Sequence, residues 1–257
     1  MNRIRVIPVL LLKNGGLVKT IKFKKPNYIG DPINAVKIFN EKEVDELVFL
    51  DIEATKLHNE PNYKIIEEIA SECFMPLAYG GGIKNIDQIK KIFNIGVEKI
   101  IINSVGYKNP DLITKAANIF GNQSIVVSVD VKKDFFGKYR CFSNSGKTKV
   151  RQNMHDYLKM LENRGAGELI LTSIEKEGTF GGYDIDLLKK VSHAVNIPVV
   201  ANGGAKNIDD FINAVINGGA SAVAAGSMFV YKSTNKGVLI NYPSQNELIE
   251  KLFNKIS

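Results

Sequence analysis

The chain has only two cysteines and three histidines in 257 residues, and no long apolar run. Cys73 and Cys141 cannot build a disulfide framework, and such sparse usage fits a reducing cytosol. His58, His155 and His193 are scattered and form no metal-ligand spacing, so no metal site is expected. Nothing approaches the roughly 18 consecutive apolar residues of a membrane span. The apolar start, R-I-R-V-I-P-V-L-L-L, leads into K-N-G-G rather than a small-residue cleavage site, so it reads as a buried first strand. There is no dinucleotide fingerprint, no P-loop and no nucleophile-elbow sequence at either cysteine, and no cofactor is implied. The net charge of +7 comes mostly from lysines spread along the chain, the pattern of a solvated surface. With no arginine-rich or aromatic-interleaved segment, nucleic acid is not an expected partner.

What is present is a repeat. Residues 76–87 read P-L-A-Y-G-G-G-I-K-N-I-D, and residues 198–209 read P-V-V-A-N-G-G-A-K-N-I-D, an offset of about 122 residues. The same offset places Glu46-Leu47-Val48-Phe49-Leu50 on Glu168-Leu169-Ile170-Leu171-Thr172, and one residue later Ile102-Asn103-Ser104 falls on Ala225-Gly226-Ser227. At the start of each half, V-L-L-L-K-N faces S-V-D-V-K-K, which sets Leu11 against Asp130. A duplicated scaffold thus carries a carboxylate at one strand end and an aliphatic side chain at its equivalent.

Short β-rich apolar runs at 5–12, 46–51, 76–80, 99–103, 125–130, 168–173, 197–202 and 221–225 alternate with amphipathic helical stretches. Unbroken apolar runs suit strands covered on both faces of a parallel sheet. Eight such units in a chain of this length predict one (β/α)8 TIM barrel over 1–257. The repeat divides it into half-barrels at about 1–120 and 121–240, followed by a C-terminal helix at 244–256. The connections 13–31 and 131–151 are longer than a barrel needs, and both lie at the C-terminal face, where they are either lids or surface decoration.

Gly80-Gly81-Gly82 and Gly203-Gly204 each follow a strand and lead into a helix. Glycine lets backbone N–H groups approach an anion closely, and a helix N-terminus adds favourable partial charge. Asn103-Ser104 and Gly226-Ser227 complete the two cradles, which together imply a ligand with an anionic group at each end. Between them the mouth offers Asp51, Asp130 and Lys19, with Glu175 and Glu177 in the following loop. Asp130 ends an apolar strand, where desolvation can raise its pKa, so it is either a general acid–base or a carboxylate orienting Lys132 or Lys19. Lys19 is either a phosphate clamp or electrophile, or one more exposed lysine beside Lys22, Lys24 and Lys25. Arg5, Glu46, Lys99 and Glu168 each begin a strand, and should converge as a ring of paired charges at the barrel bottom. That ring is either a structural plug or a gate.

The motifs V-K at 18–19, G-D-P at 30–32, D-E-L-V-F-L-D at 45–51, G-G-G-I at 80–83, I-N-S at 102–104, R-G-A-G-E at 164–168, G-T at 178–179, G-Y-D at 182–184 and G-G-A at 203–205 resemble the cyclase subunit of imidazole glycerol phosphate synthase. The resemblance runs over nearly the whole chain. It implies a separate glutaminase docked on the N-terminal face, with ammonia crossing the barrel to the mouth. It also implies that Arg5, Glu46, Lys99 and Glu168 form the ammonia gate, that Asp130 is one of two catalytic aspartates, and that Leu11 stands in place of the other. Glu177 replaces an aspartate, and the 143–151 loop departs from the family pattern. L-L-L-K-N-G-G-L-V-K-T at 10–20, S-E-C-F-M-P-L at 71–77 and V-L-I-N-Y-P-S at 238–244 resemble the cyclase paralogues of surface-polysaccharide (O-antigen) clusters. This second resemblance implies work with a glutaminase and an ATP-dependent amidotransferase, in the cytoplasm, converting an acetamido to an acetamidino group on a phosphorylated or nucleotide-linked sugar. Two other functions stay open: a genuine histidine-pathway cyclase, and a non-catalytic activator of the glutaminase.

Overall fold

The computed structural model describes residues 3–234 and 237–256, so the outermost ends of the expected 1–257 domain lie outside the described residues. Eight parallel strands close on themselves: β1 (Arg5–Lys13), β4 (Leu47–Asp51), β5 (Leu77–Gly80), β6 (Lys99–Ile102), β7 (Ile125–Lys133), β10 (Glu168–Ser173), β11 (Val199–Asn202) and β12 (Ala222–Ala225). The remaining four, β2 (Gly16–Ile21), β3 (Lys24–Gly30), β8 (Tyr139–Ser143) and β9 (Thr148–Lys149), hang from β1 and β7. β1 pairs with β12 and β4, and β10 pairs with both β7 and β11, so no parallel strand is left with a free edge. Helices follow the strands, as a parallel sheet requires for each crossover. This is a (β/α)8 barrel.

The pairing register repeats along the chain. Leu47 pairs with Leu77 in β4–β5, and Leu169 with Val199 in β10–β11. Leu11 pairs with Leu50, and Asp130 with Thr172. Ile100 pairs with Ile125 across β6–β7, and Val6 with Val223 across β1–β12. Inward and outward residues alternate along each strand, because side chains in a strand have a period of two. The outward set packs against the helices in one large core that includes Leu47, Phe49, Tyr79, Ile100, Val127 and Leu169. The inward set is a separate apolar cluster: Ile7, Val9, Val48, Ala78, Ile101, Val126, Ile170, Val200, Ala222 and Ala224, with Leu50 against it.

The two long connections differ from the loops their length suggested: each is a β-extension. Asn14 and Gly15 both have positive φ, and they join β1 to antiparallel β2 as a two-residue turn between Lys13 and Gly16. Such mirror-image turns match the twist of a hairpin, and Asn-Gly favours them because both residues tolerate the left-handed region. β2 then pairs with β3 (Ile21 with Lys24) through Lys22 and Phe23, which are also left-handed at φ 52° and 60°. The second connection folds β8 back along β7, and β9 back along β8. The two extensions meet: a Cβ added to Gly146 would lie 3.2 Å from Phe23 Cδ2 and 3.1 Å from Ile174 Cδ1.

The chain end is helical in three pieces, α over Gln245–Leu248, π over Ile249–Phe253 and α over Asn254–Ile256. Tyr242 Oη donates to Val6 O at 2.9 Å, tying this end to the first strand. No helix among the described residues is long and apolar enough to cross a membrane.

Candidate functional site

One large pocket opens at the C-terminal ends of the barrel strands. Asp130, Lys19 and Asp51 line it, and so do both glycine cradles: Gly81, Gly82, Asn103 and Ser104 on one side, Gly203, Gly204, Gly226 and Ser227 on the other. Both hairpins reach it through Thr20, Phe23, Asn144 and Ser145. Glu177 belongs to this lining, but Glu175 does not: it is exposed and accepts from Lys133 N at 3.2 Å on the outer side of β7. The two are only two residues apart, yet the tight turn after β10 sends one inward and one outward.

Asp130 is buried near the end of an apolar strand. Burial pushes its carboxyl up from the ordinary aspartate value to about 7, and the nearby Glu177 charge adds to the rise, against hydrogen bonds from Asn103 and Ser128 that favour the ionised form. Asn103 Nδ2 donates to Asp130 Oδ2 at 3.0 Å and to Ser128 O at 3.0 Å, fixing the carboxylate. The Asn103 carbonyl accepts from Ser104 Oγ at 3.2 Å, and Ser104 Oγ accepts from Asn144 N at 2.9 Å. The first cradle is therefore wired to the acid on one side and to the β8–β9 turn on the other. Asp130 makes no ion pair with Lys19 or Lys132.

Lys19 lies in β2 and is buried, not exposed like its neighbouring lysines. Its ammonium pairs with Glu177 and donates to Thr20 O at 2.8 Å. Glu177 also accepts from Thr20 Oγ1 and from Phe23 N, each at 3.0 Å, while its backbone carbonyl accepts from Lys22 N at 2.9 Å. One residue thus clasps the whole β2–β3 turn, including the two left-handed residues that on their own disfavour it. Asp51 uses Oδ1 to accept from Glu53 N and Ala54 N, both at 2.9 Å, so it anchors the loop after β4 at the rim.

The second cradle differs from the first in its hydroxyl. Ser227 is buried at the pocket wall, and its Oγ has no partner. Gly203 and Gly204 have φ of 90° and 115°, conformations that L side chains rarely adopt. A Cβ on Gly226 would lie 3.0 Å from Lys19 Cε, so the lysine stem runs directly past this cradle.

At the opposite end the four charged residues do form a ring. Arg5 pairs with Glu46 and Glu168, and Lys99 Nζ reaches Glu46 at 2.8 Å and Glu168 at 3.1 Å. Both glutamates are buried. Burial opposes the Arg5 charge, but hydrogen bonds and Coulombic attraction from Glu168 and Glu46 outweigh it and raise its pKa. The ring is neutral in sum, and above it the inward apolar cluster fills the barrel up to the mouth. Sequence reasoning missed Ser128, Thr20, Phe23 and Asn144 as lining residues. Ser128 was within reach, because it stands two residues before Asp130 and so faces the same way.

A closed parallel barrel with its polar residues gathered at the C-terminal mouth defines a TIM-barrel enzyme architecture. The model of the histidine biosynthesis protein family matches residues 5–235, and the chain belongs to that family. A relative in Pseudomonas aeruginosa, named "Putative imidazole glycerol phosphate synthase subunit hisF2", is 49% identical over 96% of this chain and 99% of its own length. One in Leptospira borgpetersenii, named as a HisF subunit of the same synthase in the same provisional way, is 50% identical over 95% of this chain and 96% of its own. The imidazole glycerol phosphate synthase subunit HisF of Alkaliphilus metalliredigens is 38% identical over 90% of this chain and 92% of its own. This chain is a HisF-like, cyclase-type subunit.

Proposed function

We propose that this chain is the barrel subunit of a glutamine amidotransferase complex that receives ammonia from a separate glutaminase at its N-terminal face and uses it at the mouth. The observation that carries the reading is the pairing of two ends: a closed ring of Arg5, Glu46, Lys99 and Glu168 below, and a buried carboxylate with a raised pKa, Asp130, above, with an apolar interior between them. Neutral ammonia crosses an apolar interior at far lower cost than a charged species. The repeated strand register supports reading the domain as two half-barrels, about 1–120 and 121–240, with a helical end at 244–256.

In this reading Asp130 holds or releases the proton at the mouth, since a pKa near 7 suits general acid–base work at neutral pH. Lys19, paired with Glu177, sets the local charge and holds the hairpin over the site, and Asp51 orders the rim. The glycine pairs with Asn103–Ser104 and Gly226–Ser227 frame the ends of the ligand. Leu11 lines the same pocket where the repeat has Asp130, so the two equivalent strand ends carry one acid where histidine-pathway cyclisation uses two. Retained gate residues with a lost cyclisation acid suit a different nitrogen acceptor. We therefore place the chain in acetamido-to-acetamidino conversion of a surface-polysaccharide sugar, in the cytoplasm, with an ATP-dependent amidotransferase activating the acetamido oxygen that nitrogen replaces.

The test is glutamine-dependent turnover with the candidate glutaminase, run with and without the histidine-pathway ribonucleotide. We expect glutaminase activation, no useful cyclisation of that ribonucleotide even with free ammonia, and no rescue of a histidine auxotroph lacking its own cyclase. Efficient rescue overturns the reading. It would favour a genuine histidine-pathway cyclase, which the 38% identity to the Alkaliphilus metalliredigens subunit supports; Asp51, opposite Leu12 in the β1–β4 register and lining the pocket, is then the candidate for the second acid.

A further inference from the structure

We infer that the tip of the β7–β8 hairpin is a docking knob for a protein whose surface offers an apolar pocket rimmed by carboxylates. The inference rests on the proposed function in one respect: it assigns that surface to the ATP-dependent amidotransferase, the partner that takes up nitrogen from this chain.

The first observation is a pair of aromatic side chains that the fold does not use. Between Lys133 and Tyr139, which pair across the hairpin, the chain turns through Asp134-Phe135-Phe136-Gly137-Lys138. Gly137 N donates to Asp134 O at 2.9 Å and Gly137 is left-handed at φ 73°, the form of a type I turn closed by a glycine bulge. Such a turn favours Asp at its start and Gly at its end, and both are present. It does not call for aromatics at its two central positions, where proline and small polar residues are the usual occupants. Yet Phe135 is 98% exposed and Phe136 82%, their rings edge to face at 5.6 Å. Neither belongs to the hydrophobic core. Large apolar side chains exposed together mark an interaction site.

The second observation is that the turn is held rigid. Asp134 Oδ1 accepts from Phe136 N and Lys138 N, both at 3.0 Å, and its Oδ2 accepts from Arg140 Nε at 2.9 Å. Asp134 N donates to Lys138 O at 2.8 Å. Tyr139 Oη donates to Asp184 Oδ1 at 2.9 Å, which ties the hairpin to the cap of the helix over Ile185–Ser192. A knob fixed in advance loses little freedom on binding.

The third is charge, and it selects the occupant. Lys133, Lys189 and Lys190 line a shallow notch with Gly137 and Tyr139 beside the turn, and Lys138 adjoins it. All four lysines are exposed, and none is ion-paired among the described residues. Asp186 in the notch and Glu175 beside Lys133 N offset half of that charge, while Asp134 is matched by Arg140. A second copy of this chain, with its net charge of +7, would bring like charge to the same face. An anionic bilayer would meet Glu175 and Asp186 along with the lysines. A protein surface with carboxylates around an apolar pocket suits both the phenylalanines and the notch. The same β-extension lines the mouth through Asn144 and Ser145, so a partner on this knob sits beside the opening.

The experiment measures binding of the candidate amidotransferase to the full chain in complex with the candidate glutaminase, by interferometry. Phe135→Ser with Phe136→Ser should weaken binding by about tenfold or more, mostly through faster dissociation. Lys138→Glu with Lys189→Glu should slow association and flatten its salt dependence. Both variants should keep the parent's melting temperature and glutaminase activation, because the side chains they change are exposed. Binding unchanged in both variants, or no binding by the parent, overturns the inference. So does parent binding to phosphatidylglycerol vesicles that the phenylalanine variant loses, or a parent dimer, seen by sedimentation, that this variant dissolves. Should the phenylalanine variant melt lower, the lysine variant, which leaves the turn intact, decides. Docking lost in the variants, with no glutaminase coupling in the parent, would defeat the proposed function and leave this inference standing. Intact coupling with docking indifferent to both variants would do the reverse.

Discussion

The two sides of the barrel mouth are built from matching sequence on matching strands, yet they have opposite character. One side presents Val9, Leu11, Leu50 and Gly80; at the matching positions the other presents Ser128, Asp130, Thr172 and Asn202. The polar side is internally bonded, with Asn202 Nδ2 donating to Thr172 Oγ1 at 3.0 Å and Asp130 held by Asn103. Strand register is the same on both sides, so the difference lies in side chains alone. A closed barrel tolerates this because its stability comes from the outward core and the inner layers, leaving the topmost inward residues free to diverge.

The largest effect should come from the polar side. Asp130→Asn keeps the shape and removes the titratable group, and we expect amidotransfer to fall by about 10²–10⁴-fold while glutaminase activation persists. A loss below about tenfold would mean the single acid is not the acid. The same variant tests pH. The folded-state pKa of Asp130 lies above the ordinary value of 3.8, so the folded protein holds this proton more tightly than the unfolded chain. This group's contribution to stability is full below that value, declines as pH rises toward about 7, and then levels off. Urea titrations across that window should slope less in Asp130→Asn.

Next is the ring beneath both sides. Lys99→Met strands the charge of Glu46 and Glu168 and should cost about 3 kcal/mol, read from urea unfolding. As a gate, it should also put glutamine hydrolysis out of step with product while changing the use of added ammonium differently. Equal loss with both nitrogen sources, tracking only the folded fraction, would make the ring a structural plug.

Leu11→Asp attacks the comparison directly by giving the apolar side the carboxylate of its counterpart. Beside Leu50 and Val18 the new acid lacks a partner, and we expect a stability loss of about 2 kcal/mol. We also expect it to gain measurable turnover of the histidine-pathway ribonucleotide over an inactive parent. If stability falls with no gain, the apolar character of Val9 and Leu50 matters as much as position 11.

The smallest effect concerns the clasp. Glu177→Gln keeps one acceptor oxygen but loses the charge facing Lys19, and should cost about 1 kcal/mol. Amide exchange at Lys22 and Phe23 should speed up while the barrel strands stay protected. Unchanged exchange there would mean the left-handed turn holds itself.

Much of this was readable in the chain. The eight barrel strands fall within three residues of the apolar runs that announced them, because a strand buried on both faces must be continuously apolar. The ring and the mouth were readable too, since strand ends converge in any closed barrel. The hairpins were less legible. Asn14-Gly15 was a turn signal hidden inside what read as one long connection. The Lys22-Phe23 turn carried no signal, because ordinary residues adopt that backbone only when Glu177, 154 residues from Phe23, holds them there.

Sequence alone therefore determined the barrel, its repeat, and which strand ends meet at each face, all of which follow from local periodicity and from the closure of parallel strands. Tertiary structure decided which of those residues are already engaged. It paired Lys19 with Glu177 instead of leaving it free, turned Glu175 outward, occupied Ser104 and left Ser227 without a partner. Those outcomes depend on hydrogen bonds between segments far apart in the chain, and no pattern within either segment encodes its partner.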